Sequence, residues 1–396
     1  MKREKAVWLF AGGAMQEAAA EKVKDAGYKL ILTDMNPACH CGKYADEFVE
    51  KDTFDIDGNI EAAGDLKNKY EITGVFTAGA DCHETVAHVA KFLGLPGIDP
   101  EISRICRYKF LSREVLAKAG LPQPKFGSAK TFKEAQNVLL EIGFPAVIKS
   151  ANNSGSRGFC KLDGLEDLTL EVFQNAMDNG TAGYVLLEEL LIPVENAIAE
   201  FSIETLWHKG KMTWLNAVDR LFRKDFLLFD CLKDLPLYKD VSWAIELGHI
   251  NPAAHSPETR KTLEDLLYKI GAALGIDREK YAAIVKFDII LTPKGPYILE
   301  VTPRLSGGWD SSKSTIMRGA DFVGGAMHLA MGEEPGEEFM KKYFEYKHPE
   351  LFAAVLTIIP ENAKDCVGRK YAIGYSSRCE EALMTAYNNL LIKSYL

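Results

Sequence analysis

No apolar run in this chain approaches the ~18 residues that a membrane-spanning helix requires. Its basic start, Met1-Lys2-Arg3-Glu4-Lys5, leads into an apolar stretch at 6–10 that stops at Gly12-Gly13, too short for the core of a signal peptide. A cytoplasmic protein with no membrane partner is expected. Cysteine is sparse: 8 are scattered among 396 residues, which points to reduced thiols rather than a disulfide framework. Nor is charge of one sign concentrated, since 47 Lys and Arg mix with 56 Asp and Glu for a net charge of -9. Nucleic-acid binders usually carry a basic stripe, so no nucleic-acid partner is expected. Repeats, low-complexity tracts and long linkers are absent. Two phosphate-binding signatures are missing as well. No Gly-Lys-Ser/Thr follows a glycine-rich loop, and Gly12-Gly13 with Asp34 beyond it lacks the G-x-G-x-x-G of a dinucleotide fold.

What is present is alternation. Residues 7–10, 29–33 and 74–78 read as buried strands, separated by helices through about Ala26 and around 59–70, with a further helix near 81–93. Strands alternating with helices imply a parallel, doubly wound sheet. A single helix is expected near 101–119, stopped by Gly120 with Pro122 and Pro124 behind it. Short strands follow at 144–150 and 184–188. Residues 199–207 and 211–218 form a hairpin about His208-Lys209-Gly210, and 284–291 with 297–301 form another about Pro293–Pro296. An amphipathic helix lies between the hairpins at 259–274. The tail offers a strand at 352–359, a second near 370–374 and a closing helix from about Glu380. At ~100–200 residues per domain, the length suggests two or three domains.

The strongest chemical signal is a pair of acids on the second hairpin. Asp288 in Val285-Lys286-Phe287-Asp288-Ile289 and Glu300 in Leu299-Glu300-Val301-Thr302-Pro303-Arg304 interrupt apolar runs on adjacent antiparallel strands. Such carboxylates can lie side by side on one sheet face, and they repel unless a cation lies between them. Mg²⁺ takes one or two carboxylates plus substrate phosphates, so it fits this pair. Arg304 and the Ser306-Gly307-Gly308 loop suit phosphate or carboxylate contact. A second signal is Lys149 at the end of a buried strand, before the small residues Asn152–Gly158, whose backbone could approach phosphates closely. The third is Val185-Leu186-Leu187-Glu188-Glu189-Leu190-Leu191, an apolar strand ending in acids.

These three signals, in this order, resemble the ATP-grasp superfamily over essentially the whole chain, in the manner of biotin carboxylase and carbamoyl-phosphate synthetase. The resemblance implies a mixed α/β and α+β fold: a pre-ATP-grasp domain over 1–108, an ATP-grasp domain over 109–335 with a lid at about 125–190, and a small C-terminal α/β segment over 336–396. It implies a carboxylate-amine ligase that forms an acyl phosphate and uses ATP with Mg²⁺, or Mn²⁺ in its place. The partners would be a small carboxylate and an amine, and a homodimer is left open. By the same resemblance Lys109 and Lys149 contact ATP phosphates, and Ser154, Gly155, Ser156 and Gly158 form the closing loop. Glu188, Glu189 and Leu191 form the adenine-binding hinge. Glu200 binds ribose, with Glu195 as its competitor. Asp288 and Glu300 hold metal, and Arg304 joins Lys149 near the transferred phosphate. Where the family usually has Asn, this chain has Thr302, which weakens a second metal position.

Other features have plainer readings. Cys39-His40-Cys41 lacks the partners of a zinc site. His83 and His88 are five apart, about 140° around a helix, so they do not share a face. Asp219, Arg220 and Arg223 could hold a substrate carboxylate or form a solvated loop; Trp309 and Asp310 could line an acceptor pocket or belong to the core. Alternatives to the ligase are a dinucleotide-binding oxidoreductase built on Gly12-Gly13 and Asp34, or a nucleotide-binding relative without catalysis.

Overall fold

The computed structural model describes residues 3–153, 157–235, 245–358 and 370–394. The first part comprises β1 (Glu4–Phe10), α1 (Glu17–Asp25), β2 (Lys29–Asp34), β3 (Glu47–Glu50), α2 (Ile56–Lys69), β4 (Tyr70–Phe76) and α3 (His83–Leu93). Two short helices follow, α4 (Pro100–Arg107) and α5 (Lys109–Lys118). Then come β5 (Phe126–Ala129), α6 (Phe132–Ile142), β6 (Ala146–Ser150), β7 (Cys160–Leu162), α7 (Leu170–Asp178) and β8 (Val185–Glu189). The remainder holds β9 (Glu200–His208), β10 (Lys211–Leu221), β11 (Gly248–Asn251), α8 (Pro257–Leu274), β12 (Ala283–Thr292), β13 (Gly295–Thr302), α9 (Thr315–Met317), α10 (Phe322–Ala330), α11 (Glu337–Tyr343), β14 (Phe352–Ile358), β15 (Lys370–Ser376) and α12 (Cys379–Ser394). No helix among the described residues is long and apolar enough to cross a membrane.

Three sheets organise these elements. The first is parallel, in the order β3-β2-β1-β4. Both its faces are covered, as expected of a parallel sheet. Ala6, Trp8 and Phe10 of β1 pack with Val89 and Ala90 of α3, while Val7 and Leu9 join α1 and α10. Gly74 allows this closeness, because a Cβ there would lie 2.9 Å from Met331 and 3.2 Å from the Ala330 carbonyl. The second sheet, β5-β8-β6-β7, is small and antiparallel. The third has seven antiparallel strands, β13-β12-β9-β10-β11-β14-β15. Both tail strands therefore extend the same sheet that carries the acid hairpin.

The expected long helix at 101–119 is broken. Tyr108 turns to an extended conformation (φ -92°, ψ 99°), which ends α4 and starts α5 at Lys109. No proline or glycine marks the break. It is sustained by tertiary contact, since the Lys109 N–H donates to the Ala151 carbonyl at 3.1 Å. The short strands β3, β5, β7 and β11 lack periodicity long enough to read from sequence.

Candidate active site

A cavity of about 490 Å³ lies between the small antiparallel sheet and the edge of the seven-stranded sheet. Lys149, Lys161, Glu188, Glu189, Leu191, Arg157 and Phe159 wall it on one side, and Glu200, Arg220, Asp288, Ile290 and Glu300 on the other. Lys109 lies at the junction. The strand period of two builds the second wall. Register sets Asp288 opposite Glu300 on one flank and opposite Ser202 on the other. Their neighbours Val285, Phe287 and Ile289 are buried in the apolar cluster that includes Leu263, Leu267 and Ile270 of α8. Gly271 lets α8 settle, because a Cβ there would overlap the Trp207 ring.

Each acid already meets a lysine. Lys286 Nζ donates to Asp288 Oδ2 at 2.7 Å, and Ser202 Oγ donates to Asp288 Oδ1 at 2.9 Å. Arg220 Nη1 stands 3.7 Å from the same carboxylate. Burial opposes ionisation, but Lys286 and Arg220 overcome it and bring the Asp288 pKa down to about 2. Lys109 Nζ is 3.0 Å from Glu300 Oε1 and donates to the Asn153 carbonyl at 2.7 Å. The break at Tyr108 thus delivers Lys109 to the acid hairpin.

Glu188 has a role that sequence reading did not anticipate. Its carboxylate sits between Arg113 Nε at 2.6 Å and Lys149 Nζ at 2.5 Å. Burial raises its pKa, the two cations outweigh that, and it settles at about 2. The side chain clamps Lys149 against the strand. Burial also lowers the Lys149 pKa, with Glu188 opposing the shift. Glu189 and Leu191 line the cavity beside it. Of the two ribose candidates, Glu200 lines the cavity, whereas Glu195 is exposed and outside the lining. Burial pushes Glu200 up to about 7, against the pull of Arg220 3.6 Å away.

Other expected residues lie apart. Ser154, Gly155 and Ser156 fall outside the described residues. Gly158, at φ +69°, packs on α7, where a Cβ would meet Asn179 and Ala176, and the flanking Arg157 and Phe159 face the cavity instead. Arg304 is buried; it pairs with Asp81 in the connection between β4 and α3, and its Nη1 donates to the Leu305 carbonyl. It does not line the large cavity. Thr302 stands opposite Lys286, and its hydroxyl is buried with no hydrogen-bond partner among the described residues. Asp219 and Arg220 are separated by strand alternation: only Arg220 enters the cavity, while Asp219 accepts from the Ala254 N–H. Trp309 is buried against Tyr371, and Asp310 Oδ1 lies 2.7 Å from His249 Nδ1. Lys286, Arg113, Lys161 and Phe159 escaped sequence reading. Lys286 alone had a visible signal, being two residues before Asp288 on the same face.

The alternative sites are weakly built. The Asp34 carboxylate accepts from the N–H groups of Gly12 at 2.7 Å and Asn36 at 2.9 Å, so the Gly12 N–H is not turned toward a pyrophosphate. His40 contacts Glu17, and His83, whose pKa burial takes down to about 3, pairs with Ser103. Among the described residues no three His, Cys, Asp or Glu cluster as a metal cage. The donor set that exists is the opposed Asp288 and Glu300 carboxylates, lining one cavity. That set suits an Mg²⁺ ion sharing its ligands with phosphates rather than one held by protein alone.

No family model matches the sequence. An uncharacterized protein, y4rH, from Sinorhizobium fredii is 28% identical over 290 residues, covering 73% of this chain and 55% of that protein. The carbamoyl phosphate synthase large chain of Streptomyces coelicolor is 28% identical over 144 residues, 35% of this chain and 13% of its own. The chain thus spans about half the length of the first relative, 55%, and a small part of the second, 13%. Among solved structures, the L-amino acid ligase of Bacillus licheniformis superposes with a TM-score of 0.71 at 20% identity, covering 91% of this chain and 82% of that one. The N5-carboxyaminoimidazole synthetase of Staphylococcus aureus, complexed with ADP, gives 0.71 at 14% identity, with 98% of each chain covered. The chain has the ATP-grasp fold.

Proposed function

We propose that this protein is an ADP-forming ligase that phosphorylates a small carboxylate with Mg-ATP and joins the acyl phosphate to an amine. The observation that carries this reading is the cavity in which Lys109, Lys149, Lys161 and Arg220 surround the paired carboxylates Asp288 and Glu300. It is a site for a polyanion and a divalent ion together. Ligases among the structural neighbours lend support, one of them solved with ADP.

A carboxylate oxygen is a poor leaving group, and phosphorylation makes it a good one. In-line phosphoryl transfer asks the protein for positioning and charge neutralisation rather than a nucleophile. Asp288 and Glu300 would hold Mg²⁺, which would supply positive charge to offset that of the phosphates. Lys149, aimed by Glu188, and Lys109, released from Glu300, would contact the phosphates. Glu200 would accept from ribose hydroxyls, and Leu191 and Ile290 would bracket the base. Arg304 would add charge near the transferred group from its seat against Asp81. Exclusion of water from the site would protect the acyl phosphate from hydrolysis.

The test is a screen of carboxylate–amine pairs for ADP release from ATP. The reading expects one pair to stimulate release well above the rate with ATP alone, and release to need the carboxylate. Tight nucleotide binding without stimulation by any pair would instead favour a non-catalytic nucleotide binder.

A further inference from the structure

We propose that Lys286 is a built-in cation of the phosphate site, so that the nucleotide complex holds a single divalent ion; this rests on the ATP-site reading above. Along β12 and β13 the side chains on the face of the acid pair form rungs. Ile290 and the Asp288–Glu300 rung line the cavity, and the Lys286–Thr302 rung lies beyond them toward Arg304, outside that lining but in contact with it through Asp288. A pair of opposed carboxylates has enough oxygens for more than one ion. Here Asp288 Oδ2 is already bonded to a buried ammonium at 2.7 Å. The only oxygen that β13 presents on the next rung is the neutral Thr302 hydroxyl, buried without a partner among the described residues.

A second divalent ion on Asp288 Oδ2 would sit in contact with Nζ, where like charges repel strongly at low dielectric. Lys286 cannot retreat easily, because it is 7% exposed and its rigid strand is paired on both sides. On the β9 side it faces Glu204, whose carboxylate is taken by the Ser306 N–H and the Ser311 and Asn216 side chains. An ammonium has three donors. Asp288 is the acceptor bonded to that of Lys286 among the described residues, which leaves donors for a phosphate oxygen on the same face. A point charge fixed beside the acid pair does by covalent attachment what a second ion does by coordination.

The experiment is Mn²⁺ titration by electron paramagnetic resonance of the protein with a non-hydrolysable ATP analogue. Wild type and Lys286→Arg should each hold one Mn²⁺ per nucleotide complex. Lys286→Met and Lys286→Met/Thr302→Asn should admit a second, and their turnover at low Mg²⁺ should fall by roughly tenfold or more. Two ions in the wild-type complex would overturn the proposal while leaving the ATP-site reading intact. So would a Lys286→Met variant that keeps one ion and wild-type turnover. If nucleotide brings no Mn²⁺ to any of these proteins, the acid pair is not the metal site and both readings fall. The wild-type stoichiometry decides the matter even where a variant does not fold.

Discussion

Along β9 and β12 of the seven-stranded sheet, Phe201, Ile203, Val285, Phe287 and Ile289 point to one side, and Ser202, Glu204, Lys286 and Asp288 to the other. Both sets are buried. The first packs on α8 and gains from removal of apolar surface from water. The second is connected: Ser202 donates to Asp288, Ser306 Oγ donates to Asp310 Oδ2 at 2.6 Å, and the Ser306 N–H donates to Glu204 at 2.8 Å. Burial is tolerated on both faces for different reasons, and only the connected face can do chemistry. Asp219 is the exception. Its neighbours Ala217 and Leu221 are in apolar clusters, one of its oxygens has no hydrogen-bond partner among the described residues, and burial pushes its pKa up to about 7.

Substitutions on the two faces should separate cleanly, and the largest effect belongs to the connected face. Glu300→Gln should lower ADP release by at least ~100-fold, since a metal-held charge is worth several kcal/mol, while the thermal midpoint stays near wild type. Release measured against free Mg²⁺ at saturating ATP is the readout. Wild-type activity in this variant would remove the acid hairpin from the mechanism. On the apolar face, Phe287→Ala should cost ~3–5 kcal/mol in stability. Urea unfolding reads that cost directly, and nucleotide affinity of the remaining folded protein should be unchanged. An affinity loss as large as the stability loss would mean that the faces are coupled.

Lys149→Ala tests the clamp from the opposite wall. A charge-assisted contact is worth ~1.5–3 kcal/mol, so ATP affinity should fall roughly tenfold or more by calorimetry. The fold should survive because Arg113 still meets Glu188. Unchanged affinity would mean that Lys149 serves only to neutralise Glu188. The smallest effect concerns Glu200. Its carboxyl is raised to about 7 by burial, so it is protonated below that value and ionised above it. On the proposed reading, only the ionised form would accept from both ribose hydroxyls. Nucleotide affinity should therefore rise severalfold between about pH 6 and about pH 8, and Glu200→Gln should flatten the profile. A slope that persists in Glu200→Gln assigns the titration elsewhere.

The acid pair was legible because charges interrupting a strand pattern are rare and a hairpin fixes their register. The Lys149 strand and the parallel first sheet were legible for a related reason, a long apolar period between glycine or proline stops. The clamp on Glu188 was not. Its partners Arg113 and Lys149 come from α5 and β6, and nothing local marks Arg113. By sequence Arg304, beside the Ser306-Gly307-Gly308 loop, suits contact with a phosphate or a carboxylate, whereas its pairing with Asp81 depends on tertiary packing.

By itself the sequence determined which residues alternate, and so which side chains share a face. It placed Asp288 beside Glu300 and put a short buried strand at 144–150 with Lys149 near its end. These are local properties, governed by backbone period and turn chemistry over a few residues. Tertiary structure decided where the charges went. It broke the helix at Tyr108 to bring Lys109 to Glu300, turned Glu188 inward between two cations, and set Lys286 against Asp288. A buried ionic group is stable only with a partner, and that partner can come from any part of the chain that packing brings within a few ångströms.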